Sequence, residues 1–230
     1  MAGPPVLLVH GFASSFDRNW REPGWVDLLS DARREVVGID LLGHGSADKP
    51  HDPEAYRDLD LDVESALPDE PTEQVDAIGF SMGALLLLRV AARHPTRFRK
   101  IVVGGLGANA FAASDIEPVA AAIESGPADE SHPIARLFAQ FAAGSSNDPA
   151  ALAACLRRPW EPLTPGELSA VEAEVLVVLG DKDFAGPADP LVDAIPKARL
   201  LVLPGLDHFA TPREFKFIDA ALEFLDAVPT

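Results

Sequence analysis

Ser81 sits in the run Gly79-Phe80-Ser81-Met82-Gly83, a hydroxyl with a glycine two residues away on each side. An apolar run, Val75 to Phe80, precedes it, and a helix-forming run, Met82 to Arg93, follows it. A serine hydroxyl is a weak nucleophile and needs a base. Of the six histidines, His208 in Pro-Gly-Leu-Asp-His-Phe is the best placed, because it directly follows the last apolar run. A histidine base needs a carboxylate to hold its tautomer. The loop Leu-Gly-Asp-Lys-Asp-Phe offers two, Asp181 and Asp183. Together these side chains could carry acyl transfer through a serine nucleophile.

Such groups must be brought together by a scaffold. Short, continuous apolar runs recur at Pro5 to Val9, Glu35 to Ile39, Val75 to Phe80, Lys100 to Val103, Glu174 to Leu179 and Arg199 to Leu203. Strands covered on both faces look like this, and parallel sheets are built from them. Helical segments alternate with them: Trp25 to Arg34, Met82 to Arg93, Pro187 to Ala194 and Arg213 to Ala227. The alternation predicts an α/β fold with a doubly wound sheet. Ligands of open α/β sheets bind beyond the carboxyl ends of strands, where Ser81, the two aspartates and His208 all fall. A strand turning at once into a helix presents its turn residue clear of the sheet, beneath the free N–H groups of the helix start.

One stretch interrupts the alternation. Residues 106–166 hold no β-branched run, only alanine-rich helical pieces at Ile116 to Glu124, Ile134 to Ala143 and Pro149 to Arg157. The expected organisation is a core of residues 1–105 and 167–230 with a helical cap, 106–166, over the carboxyl edge of the sheet. Phe111, Phe138, Phe141 and Trp160, with Leu137 and Leu152, could line a small apolar cavity under this cap.

Composition narrows the partners. The 230 residues carry 36 acids against 19 bases, a net charge of −17. Nucleic acids and anionic membrane surfaces need clustered Lys and Arg, so neither is an expected partner. A single cysteine, Cys155, permits no intrachain disulfide and no Cys-based metal site. The start, Met-Ala-Gly-Pro-Pro-Val-Leu-Leu-Val-His, lacks a basic n-region, and no run reaches the length of a membrane span. A cytoplasmic location is expected. Nothing in the sequence fixes an oligomeric state.

Five motifs in order resemble the α/β-hydrolase superfamily, from Val6 nearly to the C-terminus: Val9-His10-Gly11-Phe12, Asp40 to Pro50, the segment around Ser81, Leu176 to Phe184, and Leu203 to Phe209. The resemblance implies an α/β-hydrolase fold, with a shortened, mostly parallel sheet of about six strands. It implies a Ser81–His208–Asp183 triad, since the family's acid usually follows the glycine by three residues. It also implies an oxyanion hole from the backbone N–H groups of Phe12 and Met82, with His10 and Gly11 shaping that loop and His44 structural. The expected reaction is hydrolysis of a small to medium, neutral carboxylic ester or lactone, with no metal or organic cofactor. Alternatives are a carbon–carbon bond hydrolase using the same triad, or a non-enzymatic small-molecule sensor. Relatives that act on halides or epoxides carry aspartate at the elbow, and Ser81 argues against them.

Overall fold

The apolar runs form one six-stranded sheet: β1 (Val6–Val9), β2 (Val36–Ile39), β3 (Val75–Phe80), β4 (Phe98–Gly104), β5 (Glu174–Gly180) and β6 (Ala198–Leu203). Their order is β2-β1-β3-β4-β5-β6 and every neighbouring pair is parallel. The computed structural model describes residues 3–70, 73–113, 115–126 and 132–229. Helices α1 (Trp25–Asp31), α2 (Asp60–Glu64), α3 (Met82–Arg93), α4 (Glu117–Ser125), α5 (Pro133–Ala143), α6 (Pro149–Leu156), α7 (Pro165–Leu168), α8 (Asp189–Ala194) and α9 (Phe215–Phe224) flank the sheet. Among the described residues, no helix is long and apolar enough to cross a membrane.

β1, β3 and most of β5 are buried throughout, which is why their sequences show no alternation. The core is correspondingly split between the two faces. On one face, α3 buries Gly83 to Leu88 against the sheet and joins the interstrand helices α4 to α6. On the other, Trp25 lies between Trp20 and Phe217, ring centroids 5.5 and 5.0 Å away, and donates its indole N–H to Pro212 O at 2.9 Å. Register aligns Val9 with both Ile39 and Gly79, and Gly79 with Val103. The carboxyl ends of β1, β3 and β4 therefore meet at one edge, which sets His10, Ser81 and Gly105 side by side.

The segment between β4 and β5 is helical, with α4, α5 and α6 close to the positions expected from composition. Asp148 caps α6 by accepting from Ala150 N, and Arg157 at its far end pairs with Glu117 and Glu124 of α4. Asn147 ties the segment to the body of the protein. It donates to Ser14 O at 2.9 Å and accepts from Gly45 N at 2.8 Å. His51 pairs with Asp148 at 2.8 Å and adds a second tie. Leu137, expected under the cap, is instead exposed, while Leu152 is fully buried.

Several short elements were not expected from the sequence, among them α2, α7 and the turn Ala108–Phe111. Asp17–Arg21 forms a π-type turn closed by Glu22 N to Asp17 O, and Pro53–Tyr56 forms a 3-10 turn capped by Asp52. None has enough turns to show a period.

Candidate functional site

Ser81 occupies the single residue between the end of β3 and the start of α3. Its backbone, φ 52° and ψ −115°, is a conformation that non-glycine residues rarely adopt. Neither flanking glycine has a positive φ. What forbids side chains there is contact. A Cβ on Gly83 would lie 2.4 Å from the carbonyl oxygens of Val9 and His10, and one on Gly79 2.7 Å from Ala84 Cα. The start of α3 is thus pressed directly onto β1 and β3, and this packing holds the strained turn.

The loops after β5 and β6 bring the other two groups to Ser81. His208 Nε2 lies 3.0 Å from Ser81 Oγ, and His208 Nδ1 lies 3.0 Å from both carboxylate oxygens of Asp183. Asp183 and His208 are buried, and Asp183 Oδ1 also accepts the N–H of Ala185. Asp181 goes elsewhere. It is exposed and accepts Gly205 N at 2.6 Å, tying the loop after β5 to the loop after β6. Aromatic rings surround the imidazole: Phe184, Phe80 and Phe209 have centroids 4.4, 5.0 and 5.6 Å away. Phe184 and Phe209 each follow a polar member of the site in sequence. That adjacency was the only signal they offered.

The loop after β1 is built by hydrogen bonds that name a tautomer. His10 Nδ1–H donates to Gly11 O at 2.8 Å, and Nε2 accepts Leu41 N–H at 3.1 Å, so the ring is neutral with its proton on Nδ1. Burial pulls its pKa down. Gly11 N in turn donates to Asn19 Oδ1 at 3.1 Å. His44 packs 5.2 Å from His10, donates from Nδ1 to Leu42 O, and is pushed by burial to about 3. Among the described residues, the amides of Phe12 and Met82 donate to no protein acceptor outside regular helix and strand bonds. As the first residue of α3, Met82 has no intrahelical acceptor.

Two cavities open on either side of Ser81. The larger, about 300 Å³, is lined by Met82, Leu106, Ile116, Val119, Phe138 and Trp160, among others. The smaller, about 40 Å³, is lined by His208, Arg18, Asn19, Phe141, Phe209 and Arg213, among others. Phe12 and Phe138 border both, and their rings meet edge to face at 6.0 Å. Of the cap residues singled out in the sequence, Phe138, Phe141 and Trp160 reach a cavity wall. Phe111 reaches neither. It ends the turn Ala108–Phe111 and packs against the core, while Asn109 from the same turn lines the larger cavity. Arg18 and Asn19 lie in the segment Asp17 to Trp20, which resembles a stretch of carbon–carbon bond hydrolases, but neither was expected as a site residue.

A strained serine turn on a parallel six-stranded sheet can be compared with known families. A model of the α/β hydrolase fold matches residues 4–126. The chain belongs to the α/β hydrolase family. Among curated relatives, it is 34% identical over 113 residues to a 2-hydroxymuconate semialdehyde hydrolase of Pseudomonas sp. (strain CF600), covering 48% of this chain and 39% of that one. It is 33% identical over 123 residues to a 2-hydroxy-6-oxo-2,4-heptadienoate hydrolase of Pseudomonas putida, covering 50% and 41%. The matches thus span about two fifths of the length of these relatives. Among solved structures, the enol-lactonase from Burkholderia xenovorans LB400 superposes with a TM-score of 0.76 at 22% identity, over 98% of this chain and 92% of that one. These α/β hydrolases share a fold that hosts many chemistries, so activity must be argued from the site.

Proposed function

We propose that this α/β hydrolase cleaves a small to medium carboxylic ester or lactone through an acyl-enzyme on Ser81. The observation that carries the reading is the chain of 3.0 Å contacts from Ser81 Oγ through His208 to Asp183, at the mouth of a largely apolar cavity. His208 Nε2 takes the hydroxyl proton as Ser81 Oγ attacks the carbonyl carbon. Asp183, accepting from Nδ1, stabilises the imidazolium. The Phe12 and Met82 amides are the proposed donors to the tetrahedral oxyanion. Losing one such donor typically costs about 10²–10³ in rate. When the carbonyl re-forms, the bond to the leaving oxygen breaks and His208 returns the proton to that oxygen. Water, deprotonated by His208, then attacks the acyl carbon and releases Ser81.

The side walls orient the substrate. His208 must reach the leaving oxygen, and it lines the smaller cleft but not the larger cavity. The leaving group therefore departs through the smaller cleft, and an apolar acyl chain fills the cavity of about 300 Å³. Hydrolysis of p-nitrophenyl esters from C2 to C12 tests the reading. Activity should peak at short to medium chains, and Ser81→Ala should lower it by about 10⁴-fold or more. Turnover that survives in Ser81→Ala would refute it. Carbon–carbon bond cleavage by the same groups is a second reading, favoured by the names of the two Pseudomonas relatives. Release of a carbon acid rather than an alcohol would distinguish it.

A further inference from the structure

The smaller cleft beside Ser81 has a wall whose charge the proposed reaction does not use. Arg18 and Arg213 both line it, and no Asp or Glu does. The larger cavity has one of each sign, Arg158 and Asp115. Arg213 is exposed and neutralised by Glu22 at 3.0 Å. Arg18 is different. It is half-buried, its guanidinium carbon stands 4.1 Å over the Phe141 ring, and Nη1 donates to Phe141 O at 3.2 Å. Among the described residues, no carboxylate lies within 4 Å of it. This is unexpected in a chain with 36 acids against 19 bases. A cation drawn out of water is costly unless something pairs with it, and its pKa is lowered by burial. Its neighbour Asn19 is in a similar position. Oδ1 is committed to Gly11 N–H, which fixes the amide orientation, and the buried Nδ2 has no acceptor among the described residues.

We propose that Arg18, with Asn19 beside it, binds a carboxylate on the leaving-group side of the substrate. This rests on the serine-hydrolase reading for its orientation, since it is the position of His208 that assigns the leaving group to this cleft. The fit is steric as well as electrostatic. About 40 Å³ holds roughly three water-sized groups, enough for a short carboxyalkyl stub and too little for a long chain. The guanidinium carbon sits over the Phe141 ring and, among the described residues, the guanidinium N–H groups other than those on Nη1 have no protein acceptor, an arrangement suited to a planar anion. The substrate class becomes an apolar acyl group esterified to a short hydroxy acid, or the corresponding lactone carboxylate. This departs from the neutral substrate expected from the sequence.

The competing explanation makes Arg18 only a strut that holds α5 through Phe141. Two esters of equal size separate the readings: carboxymethyl butyrate, whose leaving group is anionic, and isobutyl butyrate, whose leaving group is a neutral isostere. Arg18→Met should lower kcat/KM for the anionic ester about 10- to 100-fold more than for the neutral one, chiefly through KM. Arg18→Lys should recover part of that difference. Equal losses on both esters, or an unchanged ratio, would overturn the anion site. Calorimetric binding of carboxymethyl butyrate to Ser81→Ala protein needs no turnover, and adding Arg18→Met to it should weaken binding by a similar factor. If Ser81→Ala binds the anion through Arg18 but the native chain cleaves neither ester, the hydrolase reading falls while the anion site stands. If the native chain cleaves both esters without preference, the anion site falls alone.

Discussion

Acid sensitivity should be centred on His44, a residue without access to solvent. Burial, reinforced by the neighbouring His10, holds its imidazole at about 3. In the unfolded chain the same group titrates near 6.5. Between those values the unfolded state takes up a proton that the folded state refuses, so stability is complete above about pH 6.5 and falls as acid is added. From neutral pH to pH 4.5 the gap covers about two pH units, which at ~1.36 kcal/mol each is about 3 kcal/mol. That is a large part of the 5–15 kcal/mol that typical domains possess. His10, also lowered by burial, acts with the same sign. Asp62, raised by burial, acts oppositely. Carboxylates held low, such as Asp40, lose their contribution only at lower pH. Comparison with His44→Gln isolates the term, because an amide can still donate to Leu42 O but does not titrate. The assay is urea unfolding followed by tryptophan fluorescence at pH 7 and pH 4.5. Native protein should lose about 3 kcal/mol more than the variant over that interval. Equal losses would show that the folded protein admits the proton, by opening around His44, and would refute the buried-neutral assignment.

Other expectations follow from single contacts. Gly83→Ala should destabilise the protein by about 1–3 kcal/mol and displace Ser81, because two backbone carbonyls already occupy the site of its Cβ. Urea midpoints with turnover of the remaining folded protein would measure both. Asp183→Asn should slow acylation steeply with folding intact, whereas Asp181→Asn should leave the rate near native and slightly loosen the loop at Gly205. Burst kinetics on a p-nitrophenyl ester separate these outcomes, and a reversed pattern would reassign the acid. Asp76, fully buried at the start of β3, pairs with Arg34 and Arg99. Asp76→Ala should cost about 3–5 kcal/mol by stranding the buried Arg34 guanidinium, with kcat of the folded fraction unchanged. A small loss in denaturant midpoint would contradict that.

Much of the scaffold was legible because the relevant physics is local or periodic. Six apolar runs correspond to six parallel strands, and in β1, β3 and most of β5 burial on both faces leaves no polar phase to see. Motif spacing around Ser81, Asp183 and His208 placed all three at carboxyl ends of strands. The short turns at Asp17–Arg21 and Pro53–Tyr56 were not legible, because a single turn shows no period.

What the chain alone decided was which groups are available and at which edge: one serine between glycines, two candidate acids, one well-placed histidine. The family's glycine-to-acid spacing pointed to Asp183, and tertiary packing turned Asp183 toward His208 and Asp181 toward Gly205. Packing likewise sent Phe111 into the core and Phe138 between two cavities, and set Arg18 beside Ser81 from 63 positions away. Side-chain direction in loops depends on what lies opposite, and what lies opposite comes from distant segments of the chain.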